Sequence, residues 1–176
     1  MKKPYARFVI VCACIAISAT SMRAEDWATS QGSCYAKGDK IVDVGIPFPF
    51  FQIGVHGAFD YAFHDAISAG GGIGFHYNYA YLGDGVGDIA YFSFVLRGAF
   101  HPFNLSVLRD KIRIRDKLDV YGGMTLIAGP SLNGDSYLFP VREFFGARWH
   151  FAPKVSVFLE DCGGFGYLDG GISFNL

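Results

Sequence analysis

Beyond its first residues, the chain has no apolar run long enough to cross a membrane as a helix, which takes about 20 residues. The longest such run, Phe8 to Ile17, lies in the extreme N-terminus. Cysteine is scarce, at 4 of 176 residues, which excludes a disulfide-dense scaffold. Charge is low at 18%, and no basic patch points to nucleic acid. Metal-binding motifs are missing, since none of the histidines at 56, 64, 76, 101 and 150 has zinc-protease or zinc-finger spacing. Each reads as a residue of a barrel interior or a turn. Gly70-Gly71-Gly72-Ile73-Gly74 lacks the Lys-Ser/Thr and the helix of a phosphate loop, and reads as a strand of little side-chain volume. No metal or cofactor is expected.

What the chain has is aromatic residues and glycine, with 18 Phe, 10 Tyr and 23 Gly, and 51% hydrophobic residues overall. That mixture suits a sheet with an apolar outside and a crowded inside. The N-terminus has the layout of a secretory signal: basic Lys2, Lys3 and Arg7, the apolar Phe8–Ile17, then small residues, with cleavage after Ser21 or Ala24. Val11-Cys12-Ala13-Cys14 is a poor lipobox, because apolar sequence continues past it and the usual Leu is missing. Removing residues 1–24 takes four of the 15 basic residues (Lys2, Lys3, Arg7, Arg23) and no acids, leaving 11 against 16, a net of −5. Cys34 and Cys162 remain, and their expected positions near opposite barrel ends argue against a disulfide. The division that follows is a signal over 1–24, a leader over 25–38 and a barrel domain over 39–176.

Period-two alternation runs through the barrel domain, the signature of strands with one apolar and one polar face. The first strand falls at about 39–46, ended by Pro47 and Pro49, and the second at 51–62, with a tight turn at His64-Asp65. The third falls at 66–79 and the fourth at 88–101, with a Gly/Asp loop over 82–87 between them. The fifth covers 117–129, followed by a loop over 130–137. Three more occupy Leu138 to Leu176, the sixth and seventh joined by a turn at Ala152-Pro153. One face collects Phe92, Phe94, Leu126, Trp149 and Phe174 and is assigned to lipid. The other collects Asp43, Asp60, Arg97, Asp119, Arg142, Arg148, Glu160 and Asp169, with Lys154, and is assigned to an ion-paired lumen. Glycines at 54, 70, 72, 74, 123, 146 and 171 would leave room for the arginines. Period alone leaves open a soluble sandwich with the polar face in water.

Several stretches carry a family likeness: Lys117-Leu118-Asp119-Val120-Tyr121-Gly122-Gly123, Gly146-Ala147-Arg148-Trp149-His150-Phe151, Lys154 to Glu160, and the closing Gly170-Gly171-Ile172-Ser173-Phe174-Asn175-Leu176. Over about residues 38–176 the chain resembles the small bacterial outer-membrane barrels of the OmpA-domain, OmpX and OmpW group. The resemblance implies an all-β, eight-stranded, antiparallel up-and-down transmembrane barrel in the bacterial outer membrane. It implies contact with membrane lipid and the barrel-insertion machinery, a structural, host-interacting or narrow-conduit role, and no catalysis. Alternatives are an OmpW-like channel for small hydrophobic molecules and a secreted, lipocalin-like binder of an apolar ligand. A lipid-acting enzyme would need a Ser, a His and an acid, and His101 with Ser106 is the nearest local pair. Two features depart from the group: the chain ends in Leu176 where such barrels usually end in an aromatic, and the turn over 102–116 is long.

Overall fold

The computed structural model describes residues 34–48, 52–78, 89–132, 136–161, 165 and 168–176. The signal segment, Trp27, the 82–87 loop and Cys162 lie outside the described residues. Eight strands follow in order: β1 (Lys40–Phe48), β2 (Gln52–His64), β3 (Ile67–Asn78), β4 (Ile89–Phe100), β5 (Leu118–Pro130), β6 (Ser136–Ala152), β7 (Val155–Asp161) and β8 (Leu168–Asn175). Every neighbouring pair is antiparallel, and β1 also pairs with β8, closing the barrel. Closure removes the unpaired edges that an open sheet would present.

Alternation sets which way each side chain points. Along β4, Ser93, Val95, Arg97 and Ala99 are buried while Phe92, Phe94, Leu96 and Phe100 are exposed. The inward set carries the charge. Arg148 is 1% exposed and Asp43 2%, whereas Leu96 is 65% and Met124 67%. A water-soluble fold distributes these residues the other way. The interior is therefore rich in polar and charged side chains.

Most expected strands fall within a residue or two of where periodicity puts them. β1 nevertheless passes through Pro47, expected to end it, and continues to Phe48. The described pairs with β2 end at Gly45↔His56, while the ladder to β8 continues through Pro47↔Asp169 and Phe48↔Leu168. Pro47 thus sits beyond one of its two ladders, where a missing N–H costs least. The segment after β4 is built of three helical turns, Pro102–Asn104, Ser106–Arg109 and Arg113–Asp116. It lies at the barrel end that also holds residues 34–39, the Asp65-Ala66 and Pro153-Lys154 turns, and Leu176. Lys154 is exposed at its turn and does not enter the lumen.

Glycine lets the seam between β8 and β1 close. A Cβ on Gly171 would strike the backbone of Val44 and Gly45 and the Phe158 ring. At the outward-facing Gly57 a Cβ would meet just one atom, Asp43 O, at an ordinary 3.7 Å. Gly171→Val should therefore destabilise the refolded barrel by about 1–3 kcal/mol. Gly57→Val should be near neutral, and the urea midpoints of the two variants check this.

Candidate functional site

The residues with most chemistry in the barrel are the inward-facing charges. Asp43 comes from β1, Asp60 from β2, Arg97 from β4, Asp119 from β5, Arg148 from β6 and Glu160 from β7, all at most 6% exposed. Register explains how residues far apart in sequence meet. Asp60 lies opposite Gly70 on β3, and Gly70 lies opposite Arg97 on β4. With no side chain between them, Arg97 reaches across β3 to Asp60. Asp119 and Arg148 are directly cross-strand partners.

Arg97 donates from Nε to Asp60 Oδ1 at 2.9 Å, from Nη1 to both Glu160 oxygens at 3.0 and 3.1 Å, and from Nη2 to Asp43 Oδ2 at 3.0 Å. Its Nη2 also pairs with Asp60 Oδ2. Arg148 donates from Nη2 to Asp43 Oδ2 at 2.7 Å and to Asp60 Oδ2 at 3.2 Å, and from Nη1 to Asp119 Oδ2 at 3.4 Å. The planar guanidinium serves several carboxylates at once, which a lysine ammonium could not match. Aromatic rings cover the guanidinium faces: Arg148 sits 4.1 Å from the Tyr121 ring centroid and Arg97 5.4 Å from that of Phe144.

Asp119 extends the cluster to a histidine. His101 Nδ1 lies 2.8 Å from Asp119 Oδ1, and His101 Nε2 lies 3.1 Å from Ser68 Oγ. An ionised carboxylate can only accept, so Nδ1 carries the proton. This Ser-His-Asp order has the connectivity of a hydrolase triad. However, Ser68, His101 and Asp119 are at most 2% exposed. Tyr35 stacks on the imidazole at 3.7 Å with 12° between the planes. Ser106 is exposed on its short helix and is not the serine that meets His101.

Tyr35 belongs to a strap across the barrel mouth. Cys34 N–H donates to Arg115 O, Lys37 N–H to Asp65 Oδ1, and Gly38 N–H to Ala62 O. Gly38 has φ of +97°, a left-handed turn that glycine adopts without strain. The long 102–116 connection thus has a structural use, since its Arg115 carbonyl holds the leader. Burial pushes the Cys34 thiol well up from its ordinary value, and the Asp119 carboxylate adds to the shift. Burial likewise raises the Tyr35 phenol. Cys34 is a free thiol.

The opposite end is filled by rings. Phe165 stacks on His56 at 4.2 Å, with 1° between the planes. Gln52 Nε2 lies within 3.1 Å of His76 Nδ1, Tyr91 Oη and Phe165 O. His76 Nε2 lies 3.0 Å from Ser93 Oγ. Cβ atoms on Gly72 or Gly74 would strike Phe165 at 2.8 and 2.9 Å. Gly54 similarly faces His76, and Gly146 faces Tyr121. These glycines make room for rings, and of the seven expected to serve arginine it is Gly70 that does so.

Two further expected members lie in register with cluster residues: Asp169 is opposite Glu160, and Arg142 is opposite Thr125, which is itself opposite Arg97. Arg142 is half-buried there, beside a β-bulge between Thr125 and Ile127. Asp169 is buried, with His56 Nδ1 at 4.0 Å from its Oδ1. Phe92, Phe94, Leu126, Trp149 and Phe174 all point outward and are exposed. The sequence does not mark His101, Ser68 and Tyr35 as one group. The first two were visible as members of the inward set, but nothing in the sequence tied Tyr35 to them. Among the described residues no cluster of His, Cys, Asp or Glu could hold a metal ion.

Breaking a buried pair leaves uncompensated charge. Arg97→Met removes both guanidinium bonds to Glu160 and leaves Asp43 and Asp60 with Arg148 alone, and should cost about 3–5 kcal/mol. Arg142→Met should cost well under half of that, and denaturant titration of the two variants compares them. In a Cys162→Ser background, Cys34 should react slowly with maleimide in the folded barrel and rapidly after boiling, as mass spectrometry would read.

No family model matches the chain, and no curated protein does. Among solved structures it is similar to the solution NMR structure of the de novo designed TMB2.3, at 16% identity over 80% of this chain and 96% of that chain, with a TM-score of 0.49.

Proposed function

We propose that the chain is an integral outer-membrane β-barrel with a sealed, charged lumen and a structural or surface-interaction role, exported by its N-terminal signal. The observation that carries this reading is the inverted exposure. Val44, Phe59, Ile73, Phe94, Leu126, Leu159 and Trp149 face outward on successive strands. A continuous apolar surface of this kind is far larger than a monomer in water leaves bare. Lipid also demands that every backbone group be paired within the structure, which a closed barrel achieves. Its partners on this reading are membrane lipid and the machinery that inserts barrels.

What fills the lumen supports the sealed reading. The arginine cluster spans the middle, the Tyr35 strap covers one end and Phe165 packs into the other. An eight-stranded barrel has an interior of about the size that side chains fill. A conduit for small hydrophobic molecules would have to pass six buried charges, so that alternative is disfavoured. The role is also non-catalytic, since Ser68 is covered on the His101 side by Tyr35. A fluorophosphonate probe should leave Ser68 unlabelled in the folded protein, and labelling there would reverse this assignment.

The mature chain refolded in detergent should change gel mobility on boiling and should show no stable conductance steps in planar bilayers. Solubility in plain buffer without a mobility shift would overturn the membrane reading. Ion-selective steps would overturn the sealed lumen. Leu126→Arg should destabilise the barrel by about 2–4 kcal/mol if the residue sits mid-bilayer. The unfolding midpoint in lipid vesicles measures this.

A further inference from the structure

Three polar side chains on adjacent strands lie at one level of the lumen. His150 on β6 is opposite Ser156 on β7, and Ser156 is opposite Ser173 on β8. They are 4%, 1% and 2% exposed. Among the described residues, His150 Nδ1, His150 Nε2, Ser156 Oγ and Ser173 Oγ have no hydrogen-bond partner. An unsatisfied buried polar group costs about 1–3 kcal/mol, and a native interior leaves few of them. Four at one level in one barrel call for a ligand.

The surrounding chemistry selects that ligand. Ser173 lies directly opposite Asp43 on β1. Asp43, Asp119 and Arg148 all act on His150 electrostatically. The adjoining cluster sets four carboxylates (Asp43, Asp60, Asp119, Glu160) against two guanidiniums (Arg97, Arg148). An anion would enter against that excess. A metal ion would find one imidazole and two neutral hydroxyls, too poor a donor set. A neutral imidazole needs a donor for one nitrogen and an acceptor for the other, and each hydroxyl can do both. Water meets these requirements.

We propose that His150, Ser156 and Ser173 form a buried hydration site, holding ordered water that links the imidazole and both hydroxyls beside Asp43. Phe158 roofs it toward the far end. The Phe158 ring occupies the space in front of Gly45 and Gly171, where a Cβ would strike it at 2.8 and 2.9 Å. The site goes beyond the proposed function, because it concerns the interior of the barrel whatever surrounds it. The lumen is then sealed but not dry, and bound water solvates carboxylate charge that the arginines leave over.

The test is NMR of the isotope-labelled mature barrel in detergent micelles, looking for rotating-frame cross-peaks from long-lived water to the His150 ring and to the Hβ protons of Ser156 and Ser173. The site predicts these cross-peaks at all three residues. It also predicts that no water cross-peak remains at positions 150, 156 and 173 in a His150→Phe/Ser156→Ala/Ser173→Ala variant that still shifts on boiling. Should that variant fail to fold, Ser156→Ala alone must weaken the Ser173 and His150 cross-peaks. Absence of cross-peaks in the folded wild type would overturn the proposal. So would His150 resonances that move when chloride is exchanged for bromide, which would mean a bound halide.

Discussion

A charge taken out of water must be paired, and this barrel is arranged around meeting that demand for Arg97 and Arg148. Desolvating such ions costs several kcal/mol each, and the cost is recovered only with good geometry and full hydrogen bonding. The barrel supplies carboxylates from β1, β2, β5 and β7, each aimed at a guanidinium at hydrogen-bond distance. Several other features follow. Gly70 has to be bare so that Arg97 can cross β3 to Asp60. Tyr121 and Phe144 have to lie beside the guanidiniums, because their faces need cover that does not compete for hydrogen bonds. The register of every strand that contributes a charge is thereby constrained, since a slip by one residue would turn that charge outward.

The two ends are closed by different means. At the end that holds residues 34–39 and Leu176, backbone hydrogen bonds draw Cys34 and Gly38 over the mouth, and Tyr35 lies flat on His101. That contact turns the Ser68–His101–Asp119 alignment into buried structure. At the far end, Phe165 enters the barrel as a single ring, stacked on His56 and accommodated by Gly72 and Gly74. Between them the arginine cluster divides the lumen, with Phe158 filling the space beside β1 and β8. Phe165 and Phe158 fit because Gly72 and Gly74, and Gly45 and Gly171, carry no side chain in front of them.

Much of this was legible in the sequence, because a period of two is a geometric property of the strand itself. Alternation alone separates Phe94 and Leu126 from Arg97 and Thr125. Alternation does not reveal register, which is what brings Asp60 across Gly70 to Arg97 and sets Asp119 against Arg148. Asp169 has the same parity as the cluster residues and lies opposite Glu160, with His56 Nδ1 4.0 Å from its Oδ1. Pro47 looked like a strand end because the rule assumes two ladders, and at that point the described pairs belong to one. Tyr35 precedes the first strand and belongs to no period, so its place on His101 depends on loop geometry alone. Which face of the sheet is enclosed was likewise open in the sequence, and the barrel encloses the charged one.

The central claim is that the uncharged face meets lipid while the charged face is enclosed. The most direct test places one tryptophan at Leu126→Trp, with Trp27→Phe and Trp149→Phe, in the mature chain refolded into vesicles whose acyl chains carry bromine. The account predicts strong quenching by the brominated chains and little by aqueous acrylamide. Strong acrylamide quenching with no effect of bromine would mean that the outward face is in water, and the membrane reading would fall.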